Sequence, residues 1–325
     1  MSSAHPVTND GDATSPAVET HRHSNDPIRT RITALGQRLS LPTVKRALGI
    51  LEGEHPSGKR GSGYEFLDER FYEPFDEARS IDWKASARRG RPVVVDKEKT
   101  VTSKVWMLLD GGIEMTGITA SGENKYQVAF NAMRMFAVLS MRRGDDVTIL
   151  SANRDGVIRV PIGGGFVDFD RALRAVSKRI AHAPRDINGL MRLAKRIPDS
   201  KALIVIVSDQ TGWSQMQLNA IRLMRRTHQV AAINIIPMNP FSTSQTPHGT
   251  YDAQTDRRVP AFLRVDKSEY EVTTHRAFVD TRIKTDLEHL GVTYLSCTSS
   301  EDMFNKFVAY LSSTMHHKDI SSGVK

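Results

Sequence analysis

The sequence predicts an α/β protein built on a doubly wound, mostly parallel sheet, and three observations support that prediction. From residue 125 onward, amphipathic segments alternate with short apolar runs, which is typical of a sheet covered by helices on both faces. The apolar runs Val105–Leu109 and Ala202–Val207 are too short for helices and indicate buried strands. Both runs lead into an aspartate, Asp110 and Asp209, at the end of the strand where open α/β sheets place their ligand sites.

The residues before this alternation fall into two parts. Residues 1–26 are polar, with almost no large apolar side chain, and we expect a disordered tail. Residues 27–104 are expected to form an N-terminal helical arm. Its apolar residues recur at helical spacing until Leu41-Pro42 interrupts them, which predicts two short amphipathic helices. The arm is expected to pack on the main domain or, as an alternative, to dock a partner.

A block of aromatic and charged residues, Arg79-Ser80-Ile81-Asp82-Trp83, lies within the arm. An arginine such as Arg79 can pair with carboxylates through two hydrogen bonds, and Trp83 offers a large apolar anchor. Together with Asp82, these side chains are predicted to form either a structural brace or an interface. A strand is then predicted at residues 92–96.

Residues 105–315 are predicted to form the main domain. The turn Asn153–Gly156 is expected to join two strands as a hairpin. Residues 237–275 are rich in Pro, Thr and Asp and are expected to be an irregular insertion with a small hairpin, and residues 316–325 a tail. The further predicted elements are strands at 147–150, 157–162, 202–207, 230–236 and 292–297, and helices at 125–143, 167–180, 187–196, 214–227, 276–290 and 301–314.

Composition limits the kinds of partner and the setting. There are 45 Lys and Arg against 37 Asp and Glu, a net charge of +8, which favours acidic partners. The basic residues are scattered and give no clear nucleic-acid signal, so binding of nucleic acid or an acidic surface is an alternative only. The one cysteine, Cys297, excludes an internal disulfide framework and a cysteine-built zinc site. No apolar run approaches the ~20 residues that cross a bilayer, and no signal pattern is present, so a cytoplasmic setting is expected.

One set of motifs in the arm and the first strand of the main domain is specific enough to carry a family resemblance. It consists of Arg70-x-Tyr72, Asp76-x-x-Arg79-x-Ile81-Asp82-Trp83, Ala87-Arg88, Asp110 and Met115. These residues resemble the family called domain of unknown function 58, and the resemblance covers roughly residue 58 to the C-terminus. The family usually shows Gly-Asp-Asp before the arginine, whereas Phe75-Asp76-Glu77 keeps the acidic pair without the turn glycine.

The resemblance implies a domain of von Willebrand factor A type, found in bacterial proteins beside AAA+ ATPases of the MoxR type. It implies a non-enzymatic interaction module that works with such an ATPase and a client protein during assembly or maturation of a complex. The residues expected to make the interaction are Asp110, Gly112, Glu114 and Asp209 at the carboxyl-end rim of the sheet, with Arg79, Asp82 and Trp83.

The resemblance also implies where a divalent cation would bind, in a site built from Asp-x-Ser-x-Ser, a threonine and a later aspartate. Asp110 and Asp209 match, but Gly112 and Glu114 replace the two serines, and the loop Gly163–Gly165 expected to hold the threonine has no hydroxyl. Magnesium requires about six oxygen ligands. The preferred prediction is a degenerate site without a cofactor, whose aspartates accept backbone N–H bonds from nearby loops. The alternative is a protein binder that holds Mg or Mn through Asp110, Glu114 and Asp209.

The same three carboxylates are also the candidates for acid–base catalysis. No His or Ser partner lies at a recognisable spacing from them, and the segment Asp209-Gln210-Thr211-Gly212-Trp213 has no nucleophile signature. The sequence therefore predicts a protein that is not an enzyme.

Overall fold

The computed structural model describes residues 27–39, 60–73, 81–98, 103–180, 182–199, 201–242, 250–253, 255 and 257–321. The predicted disordered tail, the second arm helix and Arg79 lie outside these residues. The strands are β1 (Arg60–Phe71), β2 (Val93–Glu98), β3 (Lys104–Asp110), β4 (Asp146–Asn153), β5 (Gly156–Ile162), β6 (Leu203–Asp209), β7 (Gln229–Ile235) and β8 (Thr293–Cys297). The helices are α1 (Pro27–Arg38), α2 (Trp83–Arg89), α3 (Lys125–Arg143), α4 (Phe166–Ser177), α5 (Ile187–Ala194), α6 (Gln215–Met224), α7 (Asp266–His289) and α8 (Ser300–Ser321).

The main sheet has six strands in the order β5-β4-β3-β6-β7-β8. The chain starts in the middle at β3, moves outward through β4 and β5, then returns to β6 and moves outward on the other side. All neighbouring pairs are parallel except the β4–β5 hairpin. The predicted doubly wound α/β fold is confirmed, and its topological switch point, where ligands bind in such sheets, lies between β3 and β6.

The core has two layers, one on each face of the sheet. On β3, Val105, Met107 and Leu109 point to the face covered by α1, α3, α4 and α8, whereas Trp106 and Leu108 point to the face covered by α5, α6 and α7. Because helices cover both faces, the central strand is apolar along its whole length instead of alternating. That continuous apolar run is what made β3 recognisable in the sequence.

Helix α1 packs on the main domain through both apolar and charged contacts. Ile28 and Ile32 are buried in the same core layer as α3 and α8. Arg29 of α1 forms an ion pair with Asp170 of α4, and Asp170 also accepts a bond from Arg134 of α3 at 2.8 Å. One buried carboxylate therefore joins three helices.

The other described part of the arm is a small separate unit. β1 and β2 pair as a two-stranded antiparallel sheet outside the main sheet. Asp82 caps the N-terminus of α2, where its Oδ1 accepts the N–H groups of Lys84 and Ala85 at 2.9 Å. Trp83, the next residue, is one of the most exposed large apolar side chains that the structure describes.

The predicted bounds of α7 are wrong. The sequence predicted a helix at 276–290 after an irregular segment, but α7 begins ten residues earlier, at Asp266. Only Ile283 and Leu287 of this helix are buried, so most of it lacks the apolar face by which helices are recognised. The small hairpin expected in the insertion is a single antiparallel bridge between Tyr251 and Arg258.

Candidate functional site

Two buried carboxylates mark the switch point. Asp110 ends β3 and Asp209 ends β6, and these strands are parallel neighbours, so both side chains lie at the same edge of the sheet. Asp110 is 0% exposed and Asp209 is 2% exposed. Burying two carboxylates this deeply requires counter-charges and hydrogen bonds, because the loss of hydration is expensive.

Arg185 supplies the main counter-charge. Its Nη2 lies 3.1 Å from an oxygen of Asp110 and 2.9 Å from an oxygen of Asp209, so one guanidinium group bridges the two carboxylates. Its Nη1 donates to the hydroxyl of Thr211 at 2.7 Å. The planar guanidinium thus fits between the ends of two strands in a way that a single ammonium group does not.

Lys125, at the start of α3, supplies a second cation. Its Nζ lies 2.5 Å from the other oxygen of Asp209, and both side chains are almost completely buried. Glu114 brings a third carboxylate, 3.9 Å from the Nε of Arg185. These five groups, three carboxylates and two cations, form what we call the switch-point cluster.

The chain path explains why Arg185 reaches this position. Helix α4 covers one face of the sheet and α5 covers the other, and residues 182–186 of the connection, which we call the crossing segment, lie over the carboxyl edge. The carbonyl of Ala183 accepts the N–H of Ile113 at 2.8 Å, and the carbonyl of Pro184 accepts the N–H of Arg154 at 2.9 Å. The crossing segment is therefore fastened to the loops after β3 and β4 on either side of the site.

Gly112 and Glu114 fix the backbone of Arg185 itself. Glu114 accepts the backbone N–H of Arg185 at 2.9 Å. A Cβ on Gly112 would lie 2.4 Å from the Cβ of Arg185, so only glycine permits this close approach. The carbonyl of Gly112 accepts the hydroxyl of Tyr126 at 2.8 Å, and burial raises the pKa of Tyr126, so that hydroxyl keeps its proton.

The end of β6 and the loops after β3 and β6 supply further hydrogen bonds to both aspartates. Asp110 accepts the hydroxyl of Ser208 at 2.7 Å and the N–H of Gly112 at 3.2 Å. Asp209 accepts the N–H of Thr211 at 3.1 Å and its hydroxyl at 2.7 Å. The predicted backbone N–H bonds from the loops that follow the two strands are therefore present.

The two aspartates differ in how easily they lose a proton. Burial raises the pKa of Asp110, and the opposing effects of Arg185 and Ser208 do not reverse that shift. Burial also acts to raise the pKa of Asp209, but the charges of Lys125 and Arg185 outweigh it and lower that pKa to about 2. The difference follows from Lys125, whose ammonium group donates to Asp209 and lowers the pKa of that carboxyl. Asp209 is thus the firmly ionised member of the pair.

The structure brings together all four rim residues that the sequence nominated, Asp110, Gly112, Glu114 and Asp209. The sequence placed the loop Gly163–Gly165 at the site, in the position of the threonine of the metal motif, and that placement was wrong. Because β5 is antiparallel to β4, with Ile162 opposite Val147, this loop lies at the amino edge of the sheet. Asp82 and Trp83 belong to the separate unit at α2, and Arg79 lies outside the described residues.

Sequence reasoning missed the two cations, Arg185 and Lys125, and the hydroxyl donors Ser208 and Thr211. Each is an ordinary polar residue: Ser208 lies in β6, Lys125 begins α3, and Arg185 and Thr211 lie in loops. One signal was available. Two predicted buried carboxylates require cations, and only segments that return to the carboxyl edge can supply them. That requirement points to the start of α3 and to the loop before α5 as the places where the missing cations could lie.

These residues do not fit a divalent cation. The Oδ2 of Asp110 and the Oδ1 of Asp209 already contact Arg185, and the Oδ2 of Asp209 contacts Lys125. Within the described ranges, no group of three or more His, Cys, Asp or Glu side chains is arranged to hold a metal ion. A divalent ion at this point would have to displace the guanidinium.

The fold and the cluster define a doubly wound α/β protein whose switch-point acids are neutralised by its own side chains. The chain belongs to the family described as "Protein of unknown function DUF58", which matches residues 68–261. Relatives in Mycobacterium bovis and in two strains of Mycobacterium tuberculosis, each described as an uncharacterized protein, are 28% identical over 202 residues. The match covers 60% of this chain and 62% of theirs, which is less than two thirds of their length.

A solved structure is also similar to part of the chain. It is described as the crystal structure of an aerotolerance-related membrane protein from Bacteroides fragilis NCTC 9343 with multiple mutations to serines. The similarity covers 56% of this chain and 99% of that one, with 14% sequence identity and a TM-score of 0.36. Among the residues that the structure of the present chain describes, no helix has the length and apolarity to span a membrane.

Proposed function

We propose that this protein is a non-enzymatic interaction module of von Willebrand factor A type that works with a MoxR-type AAA+ ATPase and a client protein in assembling or maturing a complex. The observation that supports an interaction surface is a set of three exposed aromatic side chains, one just before α7 and two on the helix. Phe262, Tyr270 and Phe278 are 77%, 72% and 65% exposed. Large apolar side chains that are exposed along one segment are candidates for a site that another protein covers.

The position of α7 connects these aromatics with the rim. The carbonyl of Arg276 accepts a bond from Gln210, just after β6, at 2.6 Å, and Arg276 donates to the carbonyls of Pro237 and Met238 beyond β7. The helix therefore meets the carboxyl edge near Arg276. The ten residues before that point extend about 15 Å along the helix axis. We call residues 261–278 the α7 projection.

Polar contacts support the α7 projection from one side. The side chain of Asn239 donates to the carbonyl of Glu269 at 2.9 Å, and Ser242 donates to the carboxylate of Glu269 at 2.8 Å. Both partners belong to the loop that leaves β7. A helix held in this way keeps its aromatic side chains in place before a partner arrives, which lowers the entropic cost of binding.

The chemistry of the switch-point cluster supports the non-enzymatic part of the proposal. The carboxylates of Asp110 and Asp209 are buried and engaged by cations and hydroxyls, which opposes a role for either in accepting a proton from a substrate. Cys297 is buried, and burial raises the pKa of its thiol, which opposes formation of a thiolate nucleophile.

The test is a binding measurement with a purified MoxR-type AAA+ ATPase from the same organism. We expect the triple substitution Phe262→Ala, Tyr270→Ala and Phe278→Ala to weaken binding at least about tenfold, because exposed aromatics are common hot spots. The matched control substitutes three exposed apolar residues elsewhere: Val157, Val167 and Met216. This control should bind as the natural protein does. Absence of binding by the natural protein, or equal binding by both variants, would contradict the proposal.

A further inference from the structure

We infer that the guanidinium of Arg185, with the ammonium of Lys125, takes the place of a divalent cation at the switch point, so that the site keeps its arrangement without metal. This inference concerns the site alone and does not rest on the proposed partner. It departs from the metal-dependent alternative that the family resemblance implies. It also assigns a role to Gly112 and Glu114, which is to accommodate and anchor Arg185. Loss of metal binding alone would not explain why these two residues are present.

The first argument is the position of the charge. The Nη2 of Arg185 lies 3.1 Å from Asp110 and 2.9 Å from Asp209, at the point where one ion could bridge both carboxylates. A magnesium ion added beside it would bring two positive charges within a few ångströms of a guanidinium, with a repulsion that burial strengthens. The ion and the guanidinium are therefore alternatives and do not occupy the site together.

The second argument is that both serine positions of the metal motif now serve Arg185. A side chain at position 112 would meet Arg185 at its Cβ, 2.4 Å away, and at its Cα, 2.6 Å away, so a serine there excludes the arginine backbone. Glu114, at the second serine position, accepts the backbone N–H of Arg185 at 2.9 Å. The two departures from the motif thus have one explanation, which is room for Arg185 and an anchor for it.

The third argument is that the arginine is built into the fold. Its neighbours Ala183 and Pro184 bond to the backbone of the loops after β3 and β4. Its side chain is only 13% exposed. The two residues before Arg185 are thus fixed by backbone bonds, which sets the position from which its side chain reaches the aspartates.

The experiment is a titration with Mn²⁺, followed by calorimetry and by thermal unfolding. The natural protein should show no specific binding and no change in melting temperature. Arg185→Ala should gain Mn²⁺ binding and a rise in melting temperature of about 3 °C or more when the ion saturates the site. Arg185→Lys keeps a cation and should gain neither. Arg192→Ala is the matched control, because that arginine is 65% exposed and has only a 3.6 Å ion pair with Asp186.

A double variant separates this site from any other metal site. Arg185→Ala combined with Asp209→Asn removes a proposed ligand and should abolish the gained Mn²⁺ binding. The inference is overturned if Arg185→Ala folds and gains no binding. It is also overturned if the natural protein binds Mn²⁺ and Asp110→Asn removes that binding, a result that needs no Arg185 variant to fold.

Discussion

Two clusters of buried charge stabilise this protein, and they differ in what they join. In the helix cluster, the single carboxylate of Asp170 takes two cations, Arg29 and Arg134, and so ties α1 and α3 to α4. In the switch-point cluster, three carboxylates share two cations, and the groups come from loops and element ends at the carboxyl edge. Similar ion-pair chemistry thus serves helix packing in one place and closes a potential ligand site in the other.

The largest expected effect comes from removing the carboxylate that both switch-point cations share. Asp209→Ala leaves Lys125 and Arg185 buried without that carboxylate, and breaking buried pairs in this way costs about 3–5 kcal/mol. Urea unfolding should report this loss. Asp168→Ala, which removes an exposed ion pair with Arg171, is the control and should cost less than about 1 kcal/mol. Equal losses in the two variants would mean that the cluster does not stabilise the fold.

Asp170→Ala is expected to cost somewhat less, about 3 kcal/mol, because only one of its two cations is fully buried. Arg134 is 4% exposed, but Arg29 is 31% exposed and can regain water. The loss should be local, with faster hydrogen exchange in α1 than in β3. If exchange in β3 rises as much as in α1, the helix cluster is part of the same cooperative unit as the sheet and the distinction between the clusters fails.

Gly112→Ala tests the close approach between the loop after β3 and Arg185. The added methyl group meets the Cβ of Arg185 at 2.4 Å, and such overpacking typically costs about 1–3 kcal/mol. Gly163→Ala is the matched control, since nothing lies within 4 Å of its added Cβ. Thermal unfolding of both variants checks the prediction. A Gly112→Ala protein as stable as the Gly163→Ala control would show that the crossing segment moves freely.

The smallest expected effect is a pH dependence. The pKa of Asp209 in the folded protein, about 2, lies below its ordinary value of 3.8, so its stabilising effect is complete above about pH 4 and is lost as the pH falls towards 2. The loss is about 2 kcal/mol. The stability difference between the natural protein and Asp209→Asn should shrink over that range. The pKa of Asp110 is raised instead, so the stability difference between the natural protein and Asp110→Asn should change above pH 3.8, growing as the pH falls towards that value.

The sheet was predictable from sequence because its signal is local. β3 and β6 are continuous apolar runs, and the position of Asp110 and Asp209 at one edge follows from the parallel pairing of two such strands. The start of α7 was not predictable from periodicity, because Tyr270 and the residues around it face solvent and leave no apolar stripe. A helix supported by polar contacts gives little pattern to detect.

The neutralising partners were not predictable for a different reason. Arg185 and Lys125 lie close to the aspartates only in the folded chain. Nothing next to either residue in the sequence indicates that its side chain is buried. In the sequence alone, Gly112 and Glu114 stand only as replacements for two serines of the metal motif, with Glu114 as an alternative metal ligand, because the neighbour of each position in space is not visible there. Only the fold shows that one arginine accounts for both.

The crossing segment before α5 also has a consequence for biosynthesis. During translation Asp110 is made 75 residues before Arg185, and Asp209 follows 24 residues after that arginine. Until residue 185 has left the ribosome, the first half of the sheet has a carboxylate at its edge and no guanidinium to neutralise it. Folding of the nascent β3–β5 half alone would bury Asp110 without its counter-charge, which is unfavourable. We therefore expect Asp110 to become buried only after Arg185 and β6 have been synthesised.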